Sequence, residues 1–160
     1  MKTLALFVLL ACSGGAFAQA KVRVGAWLPV DAKWQSAPPD VEPNLSTTST
    51  RILYFQAGGK MSVISCVVHR RSSHYAISVG DGQTVAIGEW RAERDRIITH
   101  TRLVYRSVQK VGEELPGPWV SEVLIPQGRK LLLKGVLYRR VPDLDKSAAE
   151  LMPHVSPSNP

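Results

Sequence analysis

Short segments in which apolar and polar residues alternate fill most of this chain of 160 residues, and turn-forming residues separate them. Alternation with a period of two is typical of a β-strand with one buried face. Consecutive glycines such as Gly58-Gly59 supply the positive φ that tight connections between strands require. The predicted strands cover residues 21–30, 51–56, 61–70, 74–79, 83–91, 96–107, 119–125 and 130–140. Because the chain shows no long amphipathic helical pattern, we predict an all-β fold with about eight antiparallel strands in an up-and-down barrel or a sandwich.

The first and third of these segments differ in pattern. In residues 21–30, Ala26 and Leu28 share an apolar face while Trp27 falls on the opposite face with charged residues, so we expect a half-buried strand. In residues 61–70, the apolar positions change phase after Val63, which predicts either a strand covered on both faces or a β-bulge. Residues 31–50 lose the alternation and are rich in proline, serine and threonine, which favours a long irregular connection.

Both ends of the chain are expected to lie outside the barrel. Lys2, an apolar run and Ala16-Phe17-Ala18 give residues 1–18 the layout of a secretory signal peptide, which predicts a secreted or periplasmic protein. The alternatives are lipidation of Cys12 and a transmembrane anchor, although the apolar run is far shorter than the roughly 20 residues of a membrane span. The remaining parts are a barrel at residues 19–142, a short helix at 143–152 capped by Asp143 or Asp145, and a disordered tail at 153–160.

The charge of the chain indicates the kind of partner it would attract. Twenty Lys and Arg residues stand against 13 Asp and Glu, a formal net charge of +7. Such a balance favours anionic partners such as lipid headgroups or acidic polymers. The sequence has no motif of a nucleic-acid-binding module, so nucleic acid is not an expected partner. Loss of residues 1–18 would leave Cys66 without a second cysteine, so we expect no internal disulfide and a buried, inert thiol.

Catalytic and metal-binding patterns are missing from the sequence. It has no Gly-x-Ser-x-Gly motif, and most candidate carboxylates fall in predicted turns, where acidic residues serve the backbone. The histidines at 69, 74 and 100 do not have the spacing of metal ligands. We therefore expect a non-enzymatic protein with no catalytic residue, no metal and no cofactor.

One predicted strand has a row of basic residues along one face. Successive residues on such a face are about 6.6 Å apart for each two-residue step. The row consists of Arg96, His100, Arg102 and Arg106, opposite an inner face of Ile97, Leu103 and Tyr105. We identify the row as a candidate anion-contacting face, because aligned cations can follow an anionic polymer or surface. The alternative is an ordinary solvated outer face of the sheet.

Two Gly-x-Trp motifs give the chain a family resemblance. Gly25-Ala26-Trp27 lies on the first predicted strand before a long connection, and Gly88-Glu89-Trp90 repeats the pattern in the middle of the chain. The first motif resembles that of the calycin superfamily, above all the lipocalins, and the middle of the chain resembles lipocalin-like domains of secreted bacterial proteins. The resemblance implies a barrel in which Trp27 closes one end against a basic residue of the last strand, with Arg139 or Arg140 as the counterpart.

Two functions follow as hypotheses. In the first, the protein is an exported barrel that binds a small apolar ligand in its lumen, as the lipocalin resemblance implies. In the second, it is an envelope or surface interaction protein whose basic face contacts anionic lipid or polymer. An apolar cavity of roughly 300 Å³ or more would favour the first. A lumen filled by the large side chains of Trp27, Tyr54, Phe55 and Trp90 would favour the second.

Overall fold

The computed structural model describes residues 23–38, 40, 42, 44–78, 82–106 and 114–151, and the side chains of 105, 106 and 114–116 are outside that description. The predicted signal peptide and tail fall outside these ranges. The strands are β1 (Gly25–Pro29), β2 (Gln35–Ser36), β3 (Leu45–Phe55), β4 (Lys60–Arg71), β5 (His74–Ile77), β6 (Gln83–Ala92), β7 (Ile97–Arg106), β8 (Glu114–Gln127), β9 (Lys130–Leu133) and β10 (Val136–Arg140). A 3₁₀ turn at Pro142–Leu144 leads into helix α1 (Asp145–Glu150). These elements confirm the all-β prediction and the short C-terminal helix.

Eight of the strands close into an antiparallel up-and-down barrel. Hydrogen bonds run in the order β3-β1-β10-β9-β8-β7-β6-β4, and β4 pairs again with β3 to complete the ring. The short strands β2 and β5 pair with β3 and β4 outside that ring. Closure leaves the ring without an unpaired sheet edge, which is how barrels avoid edge-to-edge association. The predicted barrel is therefore confirmed over the predicted sandwich.

Two strand predictions are wrong in detail. The segment predicted at residues 130–140 as one strand is the β9–β10 hairpin, because Lys134 and Gly135 both take positive φ and reverse the chain. The connection predicted over residues 31–50 ends early, since β3 begins at Leu45 and pairs with β4 along its whole length. Its Ser/Thr-rich half is stabilised by this pairing and not by apolar alternation, which is why the sequence pattern missed it.

The lower half of the barrel lumen is a solid apolar core. We call the end that contains the β3–β4, β6–β7 and β8–β9 connections the lower end. Phe55 is fully buried there, 6.4 Å between ring centroids from Trp27 and 5.6 Å from Trp90, both in edge-to-face contact. The surrounding lumen residues are Leu53, Met61, Ile97, Leu124, Leu131, Leu133 and Tyr138. Of the four residues expected to fill the lumen, Trp27, Phe55 and Trp90 lie in it. The fourth, Tyr54, packs against the core outside the barrel wall.

A second apolar core lies outside the barrel wall. The C-terminal segment 141–151 packs against the outward side chains of β1, β3 and β4, with Leu144 and Ala148 fully buried. The strand-borne members are Ala26, Leu28, Ile52, Ile64, Cys66, Val68 and Ile77. Because Trp27 faces the lumen core and its neighbours Ala26 and Leu28 face this outer core, the prediction of a half-buried first strand is wrong.

Strand β4 is covered on both faces, which confirms the first of the two expected alternatives. Met61 and Val63 contact the lumen core, whereas Ile64, Cys66 and Val68 belong to the outer core. The pairing of β4 with β6 also shifts register between Val63 and Ile64. The additional residue is Val85 of β6, because Val63 pairs with Ala86 and Ile64 with Thr84, whereas β4 pairs with β3 without interruption. The apolar pattern of β4 therefore changes phase because its two faces contact two different cores.

Two carboxylates attach the C-terminal segment to the barrel. Asp145 Oδ1 accepts the backbone N–H of Ala26 at 2.8 Å, and its other oxygen pairs with the Arg140 guanidinium. Asp143 Oδ2 accepts the backbone N–H of Tyr75 at 3.3 Å. The capping prediction is wrong for both residues, since α1 has no side-chain cap and these oxygens serve distant strands instead.

Gly25 makes room for Arg140 at the start of β1. A Cβ on Gly25 would overlap the Arg140 guanidinium, and the glycine has φ of 118°. Arg140 also donates from Nε to the Val24 carbonyl at 2.8 Å. Arg140, and not Arg139, stands opposite Trp27 in the β1–β10 register.

Candidate functional surface on β7 and β8

The outer side of β7 and β8 is the part of the barrel wall that includes the predicted basic row. Ile97 and Leu124 are paired and buried in the lumen core, so the positions between lumen residues on both strands point outward. The register pairs His100 with Ser121 and Arg102 with Trp119. We call this surface the β7–β8 outer face, and its members are Ile98, His100, Arg102, Trp119, Ser121, Val123 and Ile125.

Trp119 is the most prominent side chain of the β7–β8 outer face. It is 55% exposed. The His100 imidazole stacks on it at 4.5 Å between ring centroids and 4° between ring planes. The Nδ1 atom of His100 lies 2.8 Å from the Ser121 hydroxyl oxygen, which fixes the plane of the imidazole. The indole is therefore held in one orientation while much of its surface stays in contact with solvent.

Arg102 adds a cation to the same group. Its guanidinium carbon lies 5.9 Å from the Trp119 ring centroid, within the range of a cation–π contact. The Nε atom of Arg102 is buried and has no hydrogen-bond partner among the residues described. Buried donors are normally paired, so this Nε–H is an exception among the described residues, and its burial keeps it from direct contact with solvent.

Exposed aliphatic side chains continue from Trp119 down β8. Val123 is 47% exposed and Ile125 is 49% exposed. With Trp119 and Ser121 they form a row of alternate residues about 20 Å long, at roughly 3.4 Å per residue. A row of this kind is unusual on a monomeric surface, where exposed apolar residues are normally scattered.

The structure brings together only part of the predicted basic row. His100 and Arg102 lie side by side on the β7–β8 outer face. Arg96 lies before β7 begins, and its Nε is 3.4 Å from a Glu93 carboxylate oxygen and 3.7 Å from one of Asp95, so its charge is largely neutralised. Arg106 ends β7, and its side chain is outside the described part. The expected row of four cations is therefore reduced to a described pair around an indole.

The sequence pattern does not mark Trp119, Val123 and Ile125 as surface residues. Residues 119–125 contain apolar side chains at both odd and even positions, so alternation alone cannot show which set faces the lumen. Only the pairing of Leu124 with Ile97 assigns the even positions to the core. The odd positions are then left on an outer face that the C-terminal segment does not reach.

The upper half of the lumen has a different, polar character. Arg51, which alternates with lumen-facing Leu53, is exposed and close enough to influence the titration of Tyr138. Burial, followed by the negative charges of Glu122 and Asp31, raises the pKa of the Tyr138 hydroxyl, and Arg51 acts in the opposite direction. Glu122 forms an ion pair with Lys134. The apolar lumen core is therefore bordered by charged side chains near Tyr138.

The remaining chemistry of the described residues is limited. They contain no group of three or more His, Cys, Asp or Glu side chains placed to hold a metal ion. Cys66 is 2% exposed, and burial raises the pKa of its thiol to about 12, as expected for an inert cysteine. Within the same ranges, no helix combines the length and the hydropathy of a membrane span.

The fold defines a broad class of protein, and comparison with known proteins does not narrow that class. A closed, eight-stranded antiparallel barrel with its first strand between β3 and β10 is consistent with calycin-like barrels in general. No protein-family model, no curated protein and no solved structure matches this chain. The class therefore rests on the closed barrel.

Proposed function

We propose that this protein is an exported, non-enzymatic β-barrel that attaches to anionic lipid surfaces through its β7–β8 outer face. The observation that supports this proposal best is the exposed Trp119, stacked on His100 and flanked by Arg102, above the aliphatic row of Val123 and Ile125. Tryptophan combines an apolar ring with an N–H donor and is enriched where membranes meet water.

The charges around the row favour an anionic surface over a neutral one. Arg102 is a cation beside the exposed Trp119, and the chain has a net charge of +7. Cations near a membrane surface contribute about 1 kcal/mol each when the leaflet is anionic. Aliphatic side chains beside these cations would enter the headgroup region, which a soluble acidic polymer does not offer. We therefore favour lipid over polymer as the partner.

The test is co-sedimentation of the purified protein with vesicles of phosphatidylglycerol and phosphatidylcholine, and with vesicles of phosphatidylcholine alone. We expect binding to the anionic vesicles only, weakened by salt as screening grows. Trp119→Ser should weaken binding about tenfold, the equivalent of losing part of the burial of one aromatic side chain.

A matched pair of variants provides the control. Val123→Ser removes an exposed valine from the β7–β8 outer face, and Val30→Ser removes one of similar exposure, 41%, that lies after β1. Weaker vesicle binding by Val123→Ser alone supports the proposed surface. Equal effects of both changes, or wild-type binding to an acidic polymer but not to vesicles, would overturn it.

A ligand in the lumen is the second candidate, in line with the lipocalin-like resemblance. Its support is Arg51, a lumen-facing cation that stays exposed and has no ion pair among the described residues. The aromatic filling of the lower lumen by Trp27, Phe55 and Trp90 argues against a deep apolar ligand. Displacement of a fluorescent fatty acid by unlabelled fatty acid, lost in Arg51→Gln and retained in Trp119→Ser, would favour this function over the first.

A further inference from the structure

The lower end of the barrel has a basic depression that the proposed surface does not use. It encloses about 700 Å³, within the range of small-molecule sites, which is about 300–1,000 Å³. Trp27 and the β8–β9 turn contribute to its lining. We call it the basal depression, and its lining includes Arg23, Arg129, Lys130, Arg139 and Arg140.

Two of these five cations are engaged by the fold. Arg140 pairs with Asp145 and donates to the Val24 carbonyl. Arg139 donates from Nη2 to the Tyr75 hydroxyl at 2.7 Å, and its guanidinium lies 4.9 Å from the Tyr75 ring centroid. These contacts account for the positions of both side chains without a ligand.

The other three cations have no such contacts. The side chains of Arg23, Arg129 and Lys130 are exposed, and none of them forms an ion pair or a side-chain hydrogen bond with another described residue. The described residues that line the depression include no carboxylate, and the carboxylate of Asp145, which contacts the lining, is paired with Arg140. The depression therefore has an excess of positive charge that the described residues do not balance.

The strand register increases this concentration of charge. Lys130 and Arg139 are direct cross-strand neighbours on the outer side of β9 and β10. Like charges in directly opposed positions destabilise a sheet. Arg129 is added beside them by the two-residue turn after Gln127, in which Gly128 has φ of 60°. A bound anion would offset the repulsion among these side chains.

We propose that the basal depression binds an anion with two or more linked phosphoryl groups. Three free cations from separate segments, at the start of β1 and at the β8–β9 turn, can contact more than one anionic group at once. Arginine suits this task because its planar donors match phosphate oxygens in a bidentate manner. This inference goes beyond the proposed function, since it uses a different part of the surface and none of the β7–β8 outer face.

The experiment is isothermal titration calorimetry of the full chain with inorganic pyrophosphate and with inorganic phosphate at low ionic strength. We expect pyrophosphate to bind in a one-to-one ratio and more tightly than phosphate. The double variant Arg23→Gln, Arg129→Gln should weaken pyrophosphate binding at least about tenfold, because two charge-assisted contacts are lost. Urea unfolding checks that these exposed substitutions leave the fold intact.

Two controls separate this site from general charge and from the lipid proposal. Arg91→Gln removes one exposed positive charge outside the depression, and it should change pyrophosphate affinity less than about twofold. Trp119→Ser should leave pyrophosphate binding unchanged even though it weakens vesicle binding. No pyrophosphate binding, or an equal loss in Arg91→Gln and the single variant Arg129→Gln, would overturn the inference.

A competition experiment distinguishes whether the phosphoryl groups belong to a lipid headgroup or to a soluble compound. Pyrophosphate is added to protein bound to vesicles that contain a lipid with a diphosphate headgroup. Displacement that requires Arg129 would assign the site to a lipid headgroup. Tight pyrophosphate binding without displacement would assign it to a soluble phosphorylated compound. Both results support the site, whereas displacement that is unchanged in Arg129→Gln contradicts it.

Discussion

The two outer sides of this barrel have similar strand chemistry and opposite surroundings. On β1, β3 and β4 the outward apolar side chains lie beneath the C-terminal segment, and Leu28, Ile52 and Ile64 are fully buried. On β8 the outward Val123 and Ile125 remain about half exposed. The difference shows that the wall of a barrel does not decide whether its outward apolar residues serve stability or recognition. Here the C-terminal segment, which lies outside the sheet, makes the difference by covering only one of the two sides.

The largest effect on stability is expected from truncating Leu144, the buried side chain that fills the outer core on the covered side. Leu144→Ala should lower the free energy of unfolding by about 2–5 kcal/mol, because Leu144 is fully buried and its loss leaves a cavity. Urea unfolding followed by tryptophan fluorescence measures the change. Val123→Ala on the exposed side should cost less than about 0.5 kcal/mol. Similar losses at the two positions would contradict the distinction between the two sides.

A smaller effect is expected from the carboxylate that fastens the covering segment. Asp145→Ala removes the acceptor of the Ala26 N–H and the partner of Arg140, so we expect a loss of about 1–3 kcal/mol. Asp143→Ala removes a longer and more exposed hydrogen bond to Tyr75 and should cost less. Hydrogen exchange of the Ala26 amide should increase in Asp145→Ala and stay near wild type in Asp143→Ala. The reverse order would show that Asp145 does not hold the segment.

The smallest effect is a dependence on alkaline pH at the covered side. Burial raises the pKa of the Cys66 thiol from 9.0 to about 12, so the folded protein keeps the neutral thiol while the unfolded chain ionises. The contribution of this group is fully present below pH 9 and is lost as pH rises from 9 to 12, by about 1 kcal/mol at pH 10. Urea unfolding of wild type and Cys66→Ala at pH 7 and pH 10 should show the steeper alkaline loss in wild type. Equal losses would place Cys66 in solvent.

The sequence was sufficient for the parts of the fold that depend on local pattern. Glycines and alternation located most strands, and the change of phase near Val63 correctly indicated a strand with two covered faces, although the bulge lies in β6. It was insufficient for β3, whose Ser/Thr-rich half is held by pairing with β4. The burial of both faces of β1 also depended on a helix more than 100 residues away in the chain.

The candidate sites show the same limit. The outward direction of His100 and Arg102 followed from alternation on one strand. The exposure of Trp119 did not, because it depends on the register between β7 and β8. The basal depression combines the start of β1 with the β8–β9 turn, so no linear motif marks it. Sites assembled from distant segments become visible only after the barrel closes.

The pairing of β1 with β10 has a consequence for how the chain folds. It joins Trp27 to Arg140, and the hydrogen bond from Ala26 to Asp145 spans 119 positions, whereas the neighbouring hairpins join residues close in sequence. Contacts of large sequence separation are costly in chain entropy and form late. We therefore expect the meander from β3 to β10 to assemble first and the two chain ends to meet last. Until Arg140 and Asp145 have been synthesised, the first strand has no complete place to dock, so a nascent chain keeps its barrel open until then.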